Sequence, residues 1–196
     1  MKYFSTLPNI VTSDNNNNAI VLKNLLARAS VISDVFNKET LFYPYDIQEG
    51  DTPEIIAHKY YGDMYRYWIV LMANNILDPQ WDWPMSGSVF SEYMTQKYGM
   101  ASGDIHHYEK IITQYDHSTL TTTTNTVTIS EEEYNLPVEN PATYTFPSGS
   151  VSISTEKNSV SNFEYEMVVN ESKRSIKLLN KQYANEFENQ FKKIMK

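Results

Sequence analysis

The residues able to do chemistry in this chain are few and badly spaced for it. His106 and His107 are adjacent. On an extended strand neighbouring side chains point to opposite faces, so the two make a poor metal pair. His58 and His117 have no ligand-spaced neighbours. The acidic run Glu131-Glu132-Glu133 lacks the alternating oxygen ligands of a calcium loop and reads as a solvated turn. Asp51 is a conceivable acid, but in a Gly-Asp-Thr-Pro turn its expected work is to cap a helix. There is no cysteine, so thiolate chemistry and disulfides are absent, and no Gly-rich phosphate loop or nucleophile elbow is present. No catalytic, metal or cofactor residue is therefore assigned, and the chain is not expected to be an enzyme.

Composition narrows the partners. The formal net charge is -8, which disfavours binding a nucleic-acid backbone or an anionic membrane surface through bulk electrostatics. The N-terminus lacks a positive region followed by an apolar core, and no apolar run approaches a membrane span, so neither a signal peptide nor a membrane segment is expected. Fifteen tyrosines, eight phenylalanines and three tryptophans are many for 196 residues. They suit either a Tyr-rich core or an interface.

The densest pattern runs from residue 44 to 84. Tyr43, Tyr45 and Ile47 alternate with polar or turn residues and predict a short strand. Glu49-Gly50-Asp51 reads as a turn in which Gly50 takes positive φ. Thr52 is placed as an N-cap, with Pro53 at the first helical position and Gly62 as the left-handed stop. Asp63 caps a second helix from about Met64 to Asn74. That helix carries Met64, Trp68, Leu71 and Met72 on one side and Tyr67, Ile69 and Val70 elsewhere. A helix apolar nearly all round is buried on more than one face, so its second face, with Tyr67 and Val70, is expected to meet the rest of the chain or a partner. Asn74-Asn75 stops the helix, Asp78-Pro79 turns, and the run from Trp81 to Pro84 is expected to return beside the first strand, giving strand, helix, helix, strand.

Around this module the expected organisation is an N-terminal arm and short helix (1–43), the module (44–84), a helix (85–104), a β-rich insertion (105–170) and a C-terminal helix (171–196). The N-terminal residues are expected to pair as an edge strand against the module, the asparagine run to be an exposed loop, and Ala19 to Ala29 to be a short helix, with 31–37 ambiguous. Ser86 or Ser88 caps the helix that follows the module, and Gly99 closes it. The alternations in 105–115, 126–129, 151–155 and 163–167, punctuated by Pro137, Pro141 and Pro147, predict an antiparallel insertion of several hairpins, either a protruding arm or a plain surface element. From Ser172 to Met195, Ile176, Leu179, Tyr183, Phe187, Phe191 and Ile194 recur every three or four residues and predict one long helix. Part of its stripe, from Phe187 onward, is expected to dock on another subunit. The candidate interface residues are thus Tyr67, Val70, Tyr183, Phe187, Phe191 and Ile194 in an α+β protein.

Two resemblances follow from these residues. Tyr45-x-Ile47, Glu49-Gly50-Asp51-Thr52, Ile56-Ala57, Tyr60, Asn74, Asp78-Pro79 and Pro84 resemble a LysM module, with Gly50, Asp51, Thr52 and Asn74 as its turn and cap. This implies glycan (peptidoglycan) binding as one function. The larger ordered set adds Tyr3-Phe4, Pro8-x-Ile10, Asn24-Leu-Leu-Ala-Arg28, Tyr60-Tyr61-Gly62-Asp63, Trp68, Asp82-Trp83-Pro84 and Asn170-Glu171-x-Lys173-Arg174-x-Ile176-Lys-Leu-Leu179. It resembles the small LysM-containing baseplate wedge protein of T4-like contractile-tailed phages, the family of gene product fifty-three. The resemblance implies a structural role in the virion's tail baseplate. The implied partners are a helical-bundle wedge core, a sheath-like small wedge protein and neighbouring wedges that close into a ring around the hub. Residues 109–160 have no counterpart in it.

Overall fold

The computed structural model describes residues 2–27, 29 and 38–195. The segment 31–37, ambiguous in sequence, and Arg28 of the N-terminal motif lie outside the described residues. The chain divides into two compact units, the first formed by Met1–Gly87 with Glu171–Lys196, the second by Ser88–Asn170.

In the first unit, strands β1 (Asn9–Ser13) and β2 (Ala19–Lys23) form an antiparallel hairpin of their own. This corrects two expectations. The N-terminal strand pairs with its sequence neighbour, not with the module, and residues 19–23 are strand instead of helix. Ile20 and Val21 are β-branched and favour a pleated surface, and the short loop holding Asn17 at φ 64 turns the chain back so that the two strands pair. Asp14 secures that loop by accepting from the backbone N–H groups of Asn16 and Asn18 at 2.8 Å each.

Strand β3 (Phe42–Asp46) leads into the Gly50 turn, where φ is 81°. Helix α1 (Pro53–Tyr61) follows with Thr52 as its N-cap, the hydroxyl accepting from Ile55 N–H, and Gly62 ends it in the left-handed region. Asp63 caps a 3-10 turn (Met64–Arg66) that runs into helix α2 (Tyr67–Ala73). The expected return strand at 81–84 is absent. Asp78 accepts from Gln80 N–H and Pro79 occupies the first turn, so the segment winds into helix α3 (Pro79–Asp82). The partner of β3 is instead β8 (Ser175–Leu179), antiparallel, with Tyr45 opposite Ile176. The long C-terminal helix is corrected accordingly. Ser175 and Lys177 are exposed while Ile176 and Leu178 are buried, a period of two. Asn180 then caps α7 (Lys181–Ile194) by accepting from Gln182 N–H.

Helix α2 separates two apolar clusters. Trp68 and Ile69 pack with Leu7, Leu179, Ala184, Phe191 and Met195. Val70 packs with Ile47, Ile56, Ala57, Trp83, Ile176 and Leu178. The second face of this all-round apolar helix is thus met by the chain's own C-terminal strand and helix. Trp68 sits 4.7 Å from the Phe191 ring and 5.8 Å from Phe187, centre to centre. Its Nε1 is buried with no hydrogen-bond partner.

The second unit opens with α4 (Gly87–Lys97), which puts Ser86 at the N-cap position. The 3-10 turn that follows begins at Gly99, with φ 56°. The β-rich region is a four-stranded antiparallel sheet in the order β5-β4-β7-β6, with β4 Ile105–Asp116, β5 Thr121–Ile129, β6 Ala142–Phe146 and β7 Gly149–Ser161. Two expectations change. Glu131–Asn135 is a short helix, α5, because Ser130 caps it and three glutamates sit at its positive end. The alternating stretch 163–167 lies in helix α6 (Asn162–Ser172), begun by Glu164 accepting from Ser161 N–H and hydroxyl. Within this unit α4 and α6 are held together by Glu166, a buried carboxylate that accepts from Lys97 Nζ at 2.6 Å, Tyr98 Oη at 2.9 Å and Tyr93 Oη at 3.1 Å.

Trp68→Ala is expected to cost about 3–5 kcal/mol in urea unfolding, the usual range for emptying an aromatic core site. Trp68→Phe should cost clearly less, since it also removes a buried N–H whose desolvation is worth about 1–3 kcal/mol. A loss under about 1 kcal/mol for the alanine variant would contradict the packing described above.

Candidate functional site

The turn and cap residues singled out in the sequence meet in the first unit. Asp51 does not cap α1. Thr52 does, and this frees the Asp51 carboxylate, which is buried, to accept from Lys59 Nζ at 2.6 Å, Tyr45 Oη at 2.7 Å and the Gln48 N–H at 3.2 Å. Its backbone carbonyl accepts from Trp83 Nε1 at 2.9 Å. One residue therefore ties together strand β3, the turn, helix α1 and the α3 segment. Burial pushes the Asp51 carboxyl up, but the Lys59 ammonium, the Tyr45 hydroxyl and the Gln48 amide outweigh it and hold it below the usual carboxylate range. The same hydrogen bond raises the Tyr45 phenol to about 12. With both carboxylate oxygens engaged by donors of the fold itself, Asp51 acts as a fastener.

Asn74 plays the matching part on the other side. Its Nδ2 donates to the carbonyls of Val70 and Lys177, both at 2.8 Å, and its Oδ1 accepts from Lys177 N–H at 2.7 Å. The side-chain amide thereby acts as one extra residue on the open edge of β8 and joins it to the end of α2. Tyr61 adds a further link by donating to the Leu179 carbonyl at 2.8 Å.

The candidate interface residues separate into two groups. Val70 is fully buried and Phe191 is 3 % exposed, both in the chain's own core, so these two have no face left for a partner. Tyr67 and Phe187 are half-buried against the Trp68 cluster. Tyr183 and Ile194 remain open, at 40 % and 70 % exposure. Eleven residues apart, they fall about 20° from each other around a helix that turns about 100° per residue, with Phe187 beside them. The buried line of α7, Ala184, Glu188 and Phe191, lies roughly a quarter turn away. Glu188 accepts from Arg66 Nε at 2.9 Å, and Asn185 from the same guanidinium, which fixes the helix's rotation and leaves the Tyr183–Ile194 lane facing outward.

The histidine pair is closer than strand geometry predicts. The β4–β7 register slips between Ile105 and His107, so the alternation of faces fails there. His106 Nδ1 comes within 2.8 Å of His107 Nδ1, and the His106 ring stacks on Tyr165 at 3.9 Å. His107 Nε2 lies 3.1 Å from Glu109 Oε1. Among the described residues no group of three or more His, Asp or Glu side chains is arranged to hold a metal ion. A shallow depression of about 520 Å³ is lined by Asp46, Gln48, Glu49, Glu171 and Arg174, with Arg174 paired to Glu171 at 2.6 Å and Glu49 at 3.3 Å. Sequence reasoning missed this ion-pair set because Glu49 lies 125 positions from Arg174.

Two predictions rest on this geometry. Asn74→Ala should destabilise the fold by about 1–3 kcal/mol in denaturant unfolding, since it strands two carbonyls and an amide. Asp51 has a depressed folded-state pKa, so its contribution is fully present above the unfolded value of about 3.9 and is lost as pH falls through the lower folded value. Stability should therefore drop on acidification below about pH 4, and an Asp51→Asn variant, less stable at pH 7, should show a visibly shallower acid slope in chemical unfolding curves. Glu166, also held low against its burial by Lys97, Tyr98 and Tyr93, should account for part of the slope that remains.

The family model described as Base plate wedge protein 53 matches residues 11–194. A curated relative, the "Baseplate wedge protein gp53" of Enterobacteria phage T4, is 25% identical over 153 residues, covering 77% of this chain and 72% of that protein. With the family model spanning nearly the whole sequence, the chain belongs to the base plate wedge protein 53 family, structural proteins of the virion's tail baseplate.

Proposed function

We propose that the protein joins neighbouring proteins within a baseplate wedge and helps wedges close into a ring around the tail hub. The observation that carries this reading is the family match across residues 11–194. It runs through both fold units, including 109–160, for which the motifs alone offered no counterpart, so it applies to the whole chain and not to one borrowed module. The geometry supports it. The polar residues most distinctive in sequence, Asp51 and Asn74, are spent on holding the fold, while Tyr183 and Ile194 offer apolar surface on a rigid helix. The implied partners are a helical-bundle wedge core, a sheath-like small wedge protein and adjacent wedges. A contact repeated around a ring gains by multivalency, so each one need only be modest.

A LysM-type glycan-binding reading has one feature in its favour. The first unit has strand, helix, helix and strand in space, with the Glu49-Gly50-Asp51-Thr52 turn in place, although its closing strand comes from 175–179. In the depression beside that turn Arg174 is already paired with Glu49 and Glu171, and the lining offers no aromatic ring for a sugar to stack on.

Co-expression with the other wedge proteins of the same phage, followed by size-exclusion chromatography, tests the reading. A stoichiometric complex is expected, weakened at least tenfold by Tyr183→Asp with Ile194→Asp, a pair that leaves the thermal melt unchanged because both side chains are exposed. A chain that ignores those proteins and instead binds sedimented peptidoglycan would replace the wedge reading with the glycan one.

A further inference from the structure

The hairpin β1–β2 is the least covered apolar element among the described residues. All ten of its strand residues are exposed. It forms a two-stranded sheet by itself and pairs with no other described strand. An isolated two-stranded hairpin is at best marginally stable in water. This one also carries apolar side chains on both faces. Ile10 faces Leu22 across the ladder, with Ile20 next along that face, while Val11 faces Val21 on the opposite face. Their exposures run from 37 % for Ile20 to 73 % for Val11.

The strands carry almost no charge. The two charged groups in 9–23 are Asp14 at the tip and Lys23 at the base. Both are engaged: Asp14 by the turn amides, and Lys23 Nζ by the Leu7 and Ser5 carbonyls at 2.9 and 3.3 Å. Between them lies a neutral, apolar band about 17 Å long and about 10 Å wide, at roughly 3.3 Å per residue and 4.8 Å per strand.

The two apolar faces select the occupant. A second copy stacked hairpin to hairpin would cover one face of each and leave the other face in water. The net charge of -8 also opposes self-association. A flat partner surface would likewise leave Val11 and Val21, or Ile10 and Leu22, in water. A cleft covers both faces at once.

We infer that the 9–23 hairpin is a plug that inserts into an apolar, uncharged cleft of a neighbouring baseplate protein. This rests on the wedge reading above and assigns the docking to a segment that the C-terminal lane does not include. The polar tip, Asn15 to Asn18, would pass beyond the apolar band.

The test uses the full chain, alone and in complex with the co-expressed wedge proteins of its phage, read by hydrogen–deuterium exchange. Amides of 9–23 are expected to exchange rapidly in the free protein and at least a hundredfold more slowly in the complex. Two double variants separate the faces: Val11→Asp with Val21→Asp, and Ile10→Asp with Leu22→Asp. Each should leave the melt of the free chain unchanged and weaken the complex at least tenfold. If only one pair weakens it, the partner is a flat surface and the plug is wrong. If a stoichiometric complex forms while 9–23 stays unprotected and both variants bind normally, the hairpin is not the docking element although the wedge reading stands. Protection that appears on concentrating the protein alone would assign the hairpin to a second copy and overturn the proposal. Failure of the wild type to form any complex with wedge proteins would remove the wedge reading and this inference together.

Discussion

The pairing of β3 with β8 is the constraint on which the first unit depends. It joins residues 42–46 to 175–179, across the whole of the second unit in sequence. Without it, Ile176 and Leu178 have no cluster to enter, and α2 loses its second wall. Closing so long a loop costs chain entropy, though the cost rises only with the logarithm of its length. Part of that cost is already met where the intervening chain forms a folded unit whose helices α4 and α6 are held together by Glu166. The remaining stabilisation is concentrated at the junction itself. Asn74, Tyr61 and Arg174 all reach from the first half of the unit, or toward it, onto the strand or its approach.

The position of Asp51 shows how a small module keeps a carboxylate inside. A buried charge is tolerable only when paired and fully hydrogen-bonded. Lys59 supplies the charge, and Tyr45 and the Gln48 amide supply the remaining donors. Because those groups come from β3, the turn and α1, the desolvation cost is offset only when all three are in place. The Glu166 clamp follows the same logic in the second unit, with two tyrosine hydroxyls and a lysine.

A protein whose polar side chains serve its own fold has its outward surface left for contact. The described surface exposes aliphatic residues on the β1–β2 hairpin, and Tyr183 and Ile194 on α7. Isolated exposed apolar residues are ordinary, whereas grouped ones are the kind of surface on which partners dock. The docking proposed above on both would let one chain hold two neighbours at once.

The sequence by itself determined the local punctuation: the Gly50 turn, the Thr52 cap, the Gly62 and Gly99 stops, the Asp63 cap, and a β-rich stretch punctuated by prolines. Each is decided by φ preference or by a side chain within four residues of its target, so each is legible without the fold. The family was legible as well, because its motifs are ordered along the chain. What only the tertiary structure decided was which strand closes the module. The period-two pattern at 175–178 and the cap at Asn180 were both present, but five residues between two helices fit a helical repeat of three or four almost as well, and only the waiting edge of β3 makes them a strand. The same holds for Phe191. Its apolar stripe says that something covers it, and the chain's own Trp68, arriving from a distant helix, is what does.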